Sequence, residues 1–418
     1  MKTMLSALIG IALWAAAPLA ARAQTVEIEY WQYFFKERVQ AVDALIKSFE
    51  AANPGIRVKH THFPYAQYQT KVAAAVPAGE GPDVVQLYYG WLEEYRKASL
   101  IAPLPQDQFD PAKIEAEFFP IVKAMKADGA YWGLPTAVRS LALFYNRKLM
   151  ADAGLDPAKP PATLDELIAQ AGKLVKRDAG GNLLTAGLTV GPISQDHHWW
   201  REVLVRQFGG QPFSDDNRKI TYDNPAGIAA MQFYHDIAGR NRLTTFGFMD
   251  ESHAAFRAGR AGFHIDGSFR IGTFQGVRNL DWAVAELPAH QGVQSNFASY
   301  WVNGVSSKTQ GAKREAAMKF LRHLVSDEAM QLWLKTVGEL PAKPSVALTD
   351  GNRNDPVYGP FIRGLAYSRT TEFVNEVKQR QIFLDMIDRI DIKKMPVQEA
   401  IQIAAREEQA LLDEFFRK

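Results

Sequence analysis

The sequence of 418 residues contains no cysteine. Disulfide bonds are therefore excluded, as are a catalytic thiol and a lipid anchor attached through an N-terminal cysteine. Without covalent cross-links, a chain of this length has to be stabilised by a large apolar core. Its length favours two domains over one.

Long apolar segments are missing too, except at the N-terminus. Residues 5–19 form an uncharged, largely apolar stretch that follows Lys2 and precedes Ala21-Arg22-Ala23. This pattern is typical of a secretory signal peptide, and the stretch is shorter than the roughly 18 apolar residues that a membrane span requires. We therefore expect residues 1–23 to be removed after Ala23. The mature chain would begin at Gln24, without lipid, in the periplasm.

Neither sign of charge dominates the chain. It has 48 lysine and arginine residues against 46 aspartate and glutamate residues, and two of the basic residues, Lys2 and Arg22, belong to the predicted signal peptide. A nucleic-acid-binding protein is expected to carry a basic excess. The charge balance therefore excludes nucleic acid from the expected partners.

Sequence motifs for catalysis and for metal binding are also absent. No G-x-S-x-G, H-E-x-x-H or phosphate-binding-loop pattern occurs. His60 and His62 could share one strand face, but metal sites generally use three or four ligands. We therefore expect no enzyme activity, no metal and no cofactor. The many carboxylates leave a secreted carbohydrate-active hydrolase open as an alternative.

Strand and helix patterns alternate at the start of the expected mature chain. Residues 26–30, 56–59 and 83–87 have strand patterns, and residues 36–52 and 68–76 have helix patterns. This order predicts a parallel sheet covered by helices, which binds ligands beyond the carboxyl ends of its strands. The segments after the first and third strands are therefore candidate ligand contacts.

Helix signals recur towards the C-terminus. Thr163 and Glu166 have the spacing of a capping box. Residues 315–334 and 373–390 have the period of long amphipathic helices, and Pro396 opens a last one.

Several segments, in one order along nearly the whole chain, resemble the extracellular solute-binding proteins of ABC importers. This group includes maltose-binding and glycerol-phosphate-binding proteins. The segments are FEAANPGIRV (49–58), GPDVV (81–85), YWGLP (131–135), LFYNRKL (143–149), AGL (153–155), EAAMKFL (315–321) and GELPA (338–342).

The resemblance implies an α/β fold of two lobes, with parallel-rich sheets flanked by helices and a hinge that closes on a ligand between the lobes. One lobe would comprise residues 24–136 and 286–330, and the other residues 137–285 and 331–418. The hinges would lie near residues 134–138 and 282–287, with a third crossing near residues 326–338. It also implies a monomer that serves the membrane permease subunits of an ABC importer.

The expected cleft is rich in aromatic and polar side chains. Sugar rings pack their C–H faces on flat aromatic rings, and sugar hydroxyls need hydrogen-bond partners. Arg139 lies at the first expected hinge, where the family often has a ligand contact, and Arg369 resembles an arginine of glycerol-phosphate binders. The candidate ligand-binding residues are Trp31, Tyr33, Gln86, Tyr88, Arg139, Trp199, Asp266, Ser268, Tyr300, Trp301 and Arg369. Core packing, turn formation and surface exposure are the competing explanations for them.

The predicted function is that of a periplasmic binding protein that captures a mono- or oligosaccharide and delivers it to a permease. A glycerol-phosphate-type or other anionic polyol is the alternative ligand, and in that case the two arginines would matter more.

The signal peptide gives a first test. Protein purified from a periplasmic extract should begin at Gln24 and carry no lipid, as read by N-terminal sequencing and intact mass. An N-terminus that retains Met1 would contradict this prediction.

Overall fold

The computed structural model describes residues 25–189 and 195–417. The predicted signal peptide and its cleavage site lie outside the described residues. Within them, no helix combines the length and the apolar character that crossing a bilayer requires.

A mixed sheet of twelve strands forms the centre of the fold, and a separate two-stranded ribbon pairs β5 with β6. The strands are β1 (Val26–Tyr33), β2 (Ile56–Phe63), β3 (Val84–Tyr88), β4 (Ile101–Ala102), β5 (Lys126–Ala127), β6 (Ala130–Tyr131), β7 (Leu134–Asn146), β8 (Lys176–Arg177), β9 (Leu183–Thr189), β10 (Ala261–Gly267), β11 (Trp282–Ala285), β12 (Asn296–Ser306), β13 (Leu340–Pro341) and β14 (Ser368–Arg369). The order along the main path of the large sheet is β2-β1-β3-β12-β7-β10-β9-β8.

Helices cover this sheet. They are α1 (Lys36–Ala52), α2 (Tyr65–Ala78), α3 (Leu92–Lys97), α4 (Pro111–Glu117), α5 (Arg147–Asp152), α6 (Leu164–Leu174), α7 (Gln195–His198), α8 (Val205–Gln207), α9 (Pro225–Ala238), α10 (Ser252–Arg257), α11 (Ile271–Gln275), α12 (Gly311–Leu324), α13 (Asp327–Val337), α14 (Pro344–Ala347), α15 (Asp350–Arg353), α16 (Gly359–Gly364), α17 (Glu376–Asp391) and α18 (Val397–Arg417). A π-helical segment, Trp199–Leu204, joins α7 to α8.

The alternating strands and helices at the start of the chain are confirmed. β1 pairs in parallel with both β2 and β3. Helix α1 connects β1 to β2 and buries Val42, Leu45 and Phe49 at helical spacing. The predicted α/β class is confirmed as a mixed sheet, parallel within β2-β1-β3 and β10-β9 and antiparallel where β3, β12, β7 and β10 meet.

Two long buried strands connect the two ends of the sheet. β7 pairs with β12 and β13 through residues 134–140 and with β10 and β11 through residues 141–146. β12 in turn lies between β7 and β3. The predicted lobe boundaries stay a prediction. The exchange of partners within β7 lies just after the first expected hinge.

One predicted element is wrong. Residues 315–334 form two helices, because the Ser326 hydroxyl accepts a hydrogen bond from the Ala329 N–H (3.1 Å) and starts α13 as a new helix. The apolar period continues across this break, so periodicity alone did not reveal it. The capping box at Thr163 and Glu166 is confirmed, with both of its hydrogen bonds present.

A buried polar network ties the C-terminal helices to the rest of the molecule. The Glu408 carboxylate on α18 accepts hydrogen bonds from Arg201 (2.6 Å), Tyr222 (2.7 Å) and Gln379 (2.7 Å). Arg201 belongs to the π-helical segment and Gln379 to α17. The network therefore joins the two neighbouring helices α17 and α18 to the π-helical segment, and Arg201 and Glu408 are 207 residues apart in the sequence.

Helix α6 packs on β9 with no room for a side chain at Gly187, where a Cβ atom would overlap the Ala171 carbonyl oxygen. We expect Gly187→Ala to lower the free energy of unfolding by about 1–3 kcal/mol through overpacking. Gly172→Ala, one residue beyond Ala171 on α6 and with open space around it, should be neutral or stabilising, since alanine favours helix over glycine by about 1 kcal/mol. Urea unfolding measures both changes, and equal stabilities for the two variants would contradict the packing.

Candidate functional site

Aromatic rings from three neighbouring strands meet at one edge of the sheet. Tyr33 ends β1, Tyr88 ends β3, and Trp301 lies directly opposite Tyr88 in the β12–β3 pair. The rings of Tyr33 and Trp301 are stacked, with centroids 4.2 Å apart, and the Tyr88 ring lies 5.4 Å from that of Trp301. The strand order thus brings together residues that are far apart in the sequence.

Three large aromatic side chains beside this cluster are exposed. Phe34 and Phe35 follow β1 and are 51% and 47% exposed, and Tyr65, which follows β2, is 52% exposed. The Tyr65 ring lies 5.6 Å from that of Tyr33. In the described part of the chain, all the exposed aromatic side chains lie at this edge. Apolar surface concentrated in this way is typical of a binding site.

A buried ion-pair cluster lies beneath the rings. The Glu339 carboxylate pairs with Arg38 and with Arg139, whose Nε lies 2.6 Å from Glu339 Oε1, and it accepts a third bond from Trp333 Nε1 (2.9 Å). Burial alone would raise the pKa of Glu339. The positive charges of Arg139 and Arg38 outweigh that effect and lower the pKa to about 2.

The facing wall follows β10, in a turn that spans Ser268–Arg270. Asp266, at the end of β10, accepts hydrogen bonds from the Gly267 N–H (2.7 Å) and from Arg270 Nε (2.9 Å). Burial would raise the pKa of Asp266, but its hydrogen bond with His264 and the charge of Arg270 hold the pKa below the ordinary value. Asp266 therefore supports the turn that carries Ser268 and Phe269.

A cavity of about 740 Å³ separates the two walls, and Phe35, Arg139, Ser268, Phe269 and Glu339 are among its lining residues. The Arg139 guanidinium lies 5.1 Å from the centre of the Phe269 ring. This volume lies within the range of small-molecule sites, and an aromatic lining with a few convergent polar groups is typical of them.

Comparison with known proteins decides the family. The model of the family described as bacterial extracellular solute-binding protein matches residues 44–358. The chain belongs to this family. The predicted resemblance is thus confirmed.

The solute-binding relatives include proteins with different ligands in their names. The maltotriose-binding protein of Pyrococcus abyssi is 24% identical over 342 residues, which cover 80% of this chain and 70% of the relative. The sn-glycerol-3-phosphate-binding periplasmic protein of Yersinia pseudotuberculosis is 25% identical over 358 residues, which cover 80% and 78%. These relatives are binding proteins.

Solved structures of the family share the fold. The cyclic alpha-maltosyl-1,6-maltose binding protein from Arthrobacter globiformis aligns with a TM-score of 0.82 at 21% identity, over 93% of this chain and 100% of that chain. The predicted two-lobed fold is confirmed.

The structure brings five of the predicted ligand-binding residues to this candidate site. Arg139 and Ser268 line the cavity, and Tyr33, Tyr88 and Trp301 form the aromatic cluster beside it. Two others, Gln86 and Asp266, contact arginine side chains next to these residues. Gln86 faces Arg38 (3.5 Å), and Asp266 holds the turn. Their roles in ligand binding stay predictions.

The four other predicted residues lie elsewhere, namely Trp31, Trp199, Tyr300 and Arg369. Trp31 is buried against Phe63, and Trp199 is buried in the π-helical segment. Tyr300 is buried against Tyr89, at the point where the register between β12 and β7 shifts.

Arg369 lines a separate groove of about 460 Å³ together with Arg206, Thr370 and Glu372. Arg139, in contrast, lines the cavity of about 740 Å³. The predicted role of Arg369 as a ligand contact also stays a prediction.

Sequence reasoning missed several residues at the site. Phe35 and Tyr65 follow strand ends, so the strand-end rule could have found them. Arg38, Phe269 and Glu339 gave no such signal, because the contacts of Arg38 and Arg139 with Glu339 span 301 and 200 residues of sequence. Within the described ranges no group of three or more histidine, aspartate or glutamate side chains is arranged to hold a metal ion.

The low pKa of Glu339 predicts a pH-dependent contribution to stability. A carboxylate with a pKa of about 2 in the folded state and 4.5 when unfolded stabilises the fold by about 3 kcal/mol above pH 4.5. That contribution is lost as the pH falls from 4.5 towards 2. Glu339→Gln should therefore lower the free energy of unfolding at pH 7, and the difference from the unmodified protein should shrink at pH 3.

Urea unfolding at both pH values measures this difference. Glu80→Gln, which alters an exposed carboxylate, is the matched control and should change little at either pH. A loss of stability in Glu339→Gln that is the same at pH 7 and pH 3 would contradict the assignment.

Proposed function

We propose that this protein captures a mono- or oligosaccharide between its lobes and delivers it to the membrane permease of an ABC importer. The observation that carries the proposal is the group of exposed aromatic rings at the strand ends, beside the stacked pair of Tyr33 and Trp301. Flat apolar faces of this kind match the C–H faces of sugar rings.

Two polar atoms at the candidate site support the same ligand class. Trp301 Nε1 and Ser268 Oγ are buried and have no hydrogen-bond partner among the described residues. A buried polar group without a partner costs about 1–3 kcal/mol. Sugar hydroxyls, which both donate and accept, would satisfy these two atoms.

The names of the relatives support two different classes of ligand. The maltotriose-binding relative supports a sugar, and the sn-glycerol-3-phosphate-binding relative supports the anionic alternative. The charges favour a sugar, because Arg139 is already paired with Glu339 and Arg369 lines another groove.

The hydrolase alternative is less well supported than binding. Glycoside hydrolysis needs a carboxylic acid with a raised pKa as proton donor. The Glu339 carboxylate in the cavity instead has a lowered pKa and is occupied by two arginines and a tryptophan. Such a group is suited to holding structure rather than to transferring a proton.

Location and partners complete the proposal. Family membership and the sequence pattern of residues 1–23 support an unlipidated periplasmic protein that is cleaved after Ala23. The same membership supports permease subunits as partners. We propose that the chain acts as a monomer that closes on its ligand.

A screen followed by calorimetry tests the ligand class. Maltotriose, maltose or another neutral sugar should raise the melting temperature, since a ligand that binds only the folded state stabilises it. Phe35→Ala should then lower the affinity for the best sugar about tenfold, because a stacking face worth about 1.4 kcal/mol is lost. Phe35 is largely exposed, so the fold should survive this change.

Leu184→Ala is the matched control, because Leu184 is 44% exposed on β9, and it should leave the affinity unchanged. A melting shift given by sn-glycerol 3-phosphate alone would favour the anionic alternative. Release of reducing ends from a glycoside would favour the hydrolase. Equal affinities of the Phe35 and Leu184 variants would show that the aromatic edge does not bind the sugar.

A further inference from the structure

We propose that Glu339 sets the charge preference of the cavity: by holding the guanidinium groups of Arg38 and Arg139, it keeps them from an anionic ligand and leaves the site suited to a neutral one. The inference rests on the proposed sugar-binding function and extends it to a single residue that determines specificity.

The backbone fixes Glu339 opposite Arg139. β13 pairs antiparallel with β7, with Leu340 opposite Val138 and Pro341 opposite Ala137. Continuing this register by one residue aligns position 339 with position 139. Gly338, in the left-handed conformation at the end of α13 (φ 77°), turns the chain into this alignment. The ion pair is therefore built into the strand pairing.

Both oxygen atoms of the Glu339 carboxylate have partners. Glu339 Oε1 faces both arginines, and Oε2 accepts the bond from Trp333 Nε1. Charge-assisted bonds of this kind are about twice as strong as neutral ones. An incoming phosphate would have to compete with a carboxylate that is already aligned.

Both guanidinium groups lie against rings of the site. Arg38 is completely buried, and its guanidinium lies 4.8 Å from the Tyr33 ring centre and 4.9 Å from that of Trp301. Arg139 lines the cavity, is 19% exposed and lies over Phe269. Of these two guanidinium groups, Arg139 is therefore the one that a ligand in the cavity can reach, and its carboxylate partner is Glu339.

Other charged side chains also line the cavity. Arg270 is paired with Asp266 at 2.9 Å, and Lys335 and Glu37, which have opposite signs, both line the cavity. Removing the charge of Glu339 would therefore leave the guanidinium of Arg139 without its carboxylate partner.

Two variants test the proposal with sn-glycerol 3-phosphate as the anionic probe. Glu339→Gln keeps the shape of the side chain and removes its charge. Arg38→Met combined with Glu339→Gln replaces the fully buried ion pair, a change that is often tolerated. The double variant has the same net charge as the unmodified protein, so it separates the release of Arg139 from a general change in charge.

We expect each folded variant to bind sn-glycerol 3-phosphate at least tenfold more tightly than the unmodified protein in calorimetry. The gain should diminish as sodium chloride is raised from 50 to 500 mM, because a partly exposed charge is screened by salt. Glu80→Gln should show no gain. Circular dichroism identifies which variants fold, and the double variant keeps the test available if Glu339→Gln does not.

An unchanged or weaker affinity for sn-glycerol 3-phosphate in the folded variants would overturn the proposal, since a purely structural role for Glu339 predicts no gain. Maltotriose is measured in parallel. If no neutral sugar binds the unmodified protein while the variants still gain affinity for the anion, the proposed sugar function fails and the role of Glu339 stands.

Discussion

The antiparallel pairing of β12 with β7 is the constraint on which the rest of the molecule depends. It joins the two ends of one sheet, each end with its own covering helices. β12 places Trp301 beside Tyr33, and β7 places Arg139 over the Phe269 ring. β10, which leads into the facing wall, pairs with β7 in turn, so both walls are carried on one continuous sheet.

The fold also buries charged side chains. The buried carboxylates of Glu339 and Glu408 each join side chains from several elements. Burying an ion costs several kcal/mol, and only complete hydrogen bonding offsets that cost. Such clusters favour a single packing of the helices and strands that they join. At Glu339 the same bonds also decide which charges face the cavity.

Local features of the fold were predictable from the sequence, and distant contacts were not. The strands and helices from β1 to β3 and the cap at Thr163 follow from patterns within about twenty residues. The strand-end rule found Tyr33 and Tyr88 for the same reason. Residue type could not show that Trp199 and Tyr300 are buried, because burial depends on the whole fold.

The family resemblance supplied what periodicity lacked, namely the two lobes and the crossing strands. It did not supply the contacts between side chains. Glu339 lies within the GELPA segment that carried the resemblance. Its pairing with Arg139 nevertheless became visible only once β13 was aligned with β7.

The length of β7 has a mechanical consequence. Its 13 residues extend over roughly 43 Å at about 3.3 Å per residue, and the exchange of partners lies near the middle. A bend of about 20° at that point would move either end by roughly 7 Å, because each half of the strand is roughly 21 Å long. One strand can thus act as a lever that converts a small backbone adjustment at its centre into a displacement as wide as a sugar ring.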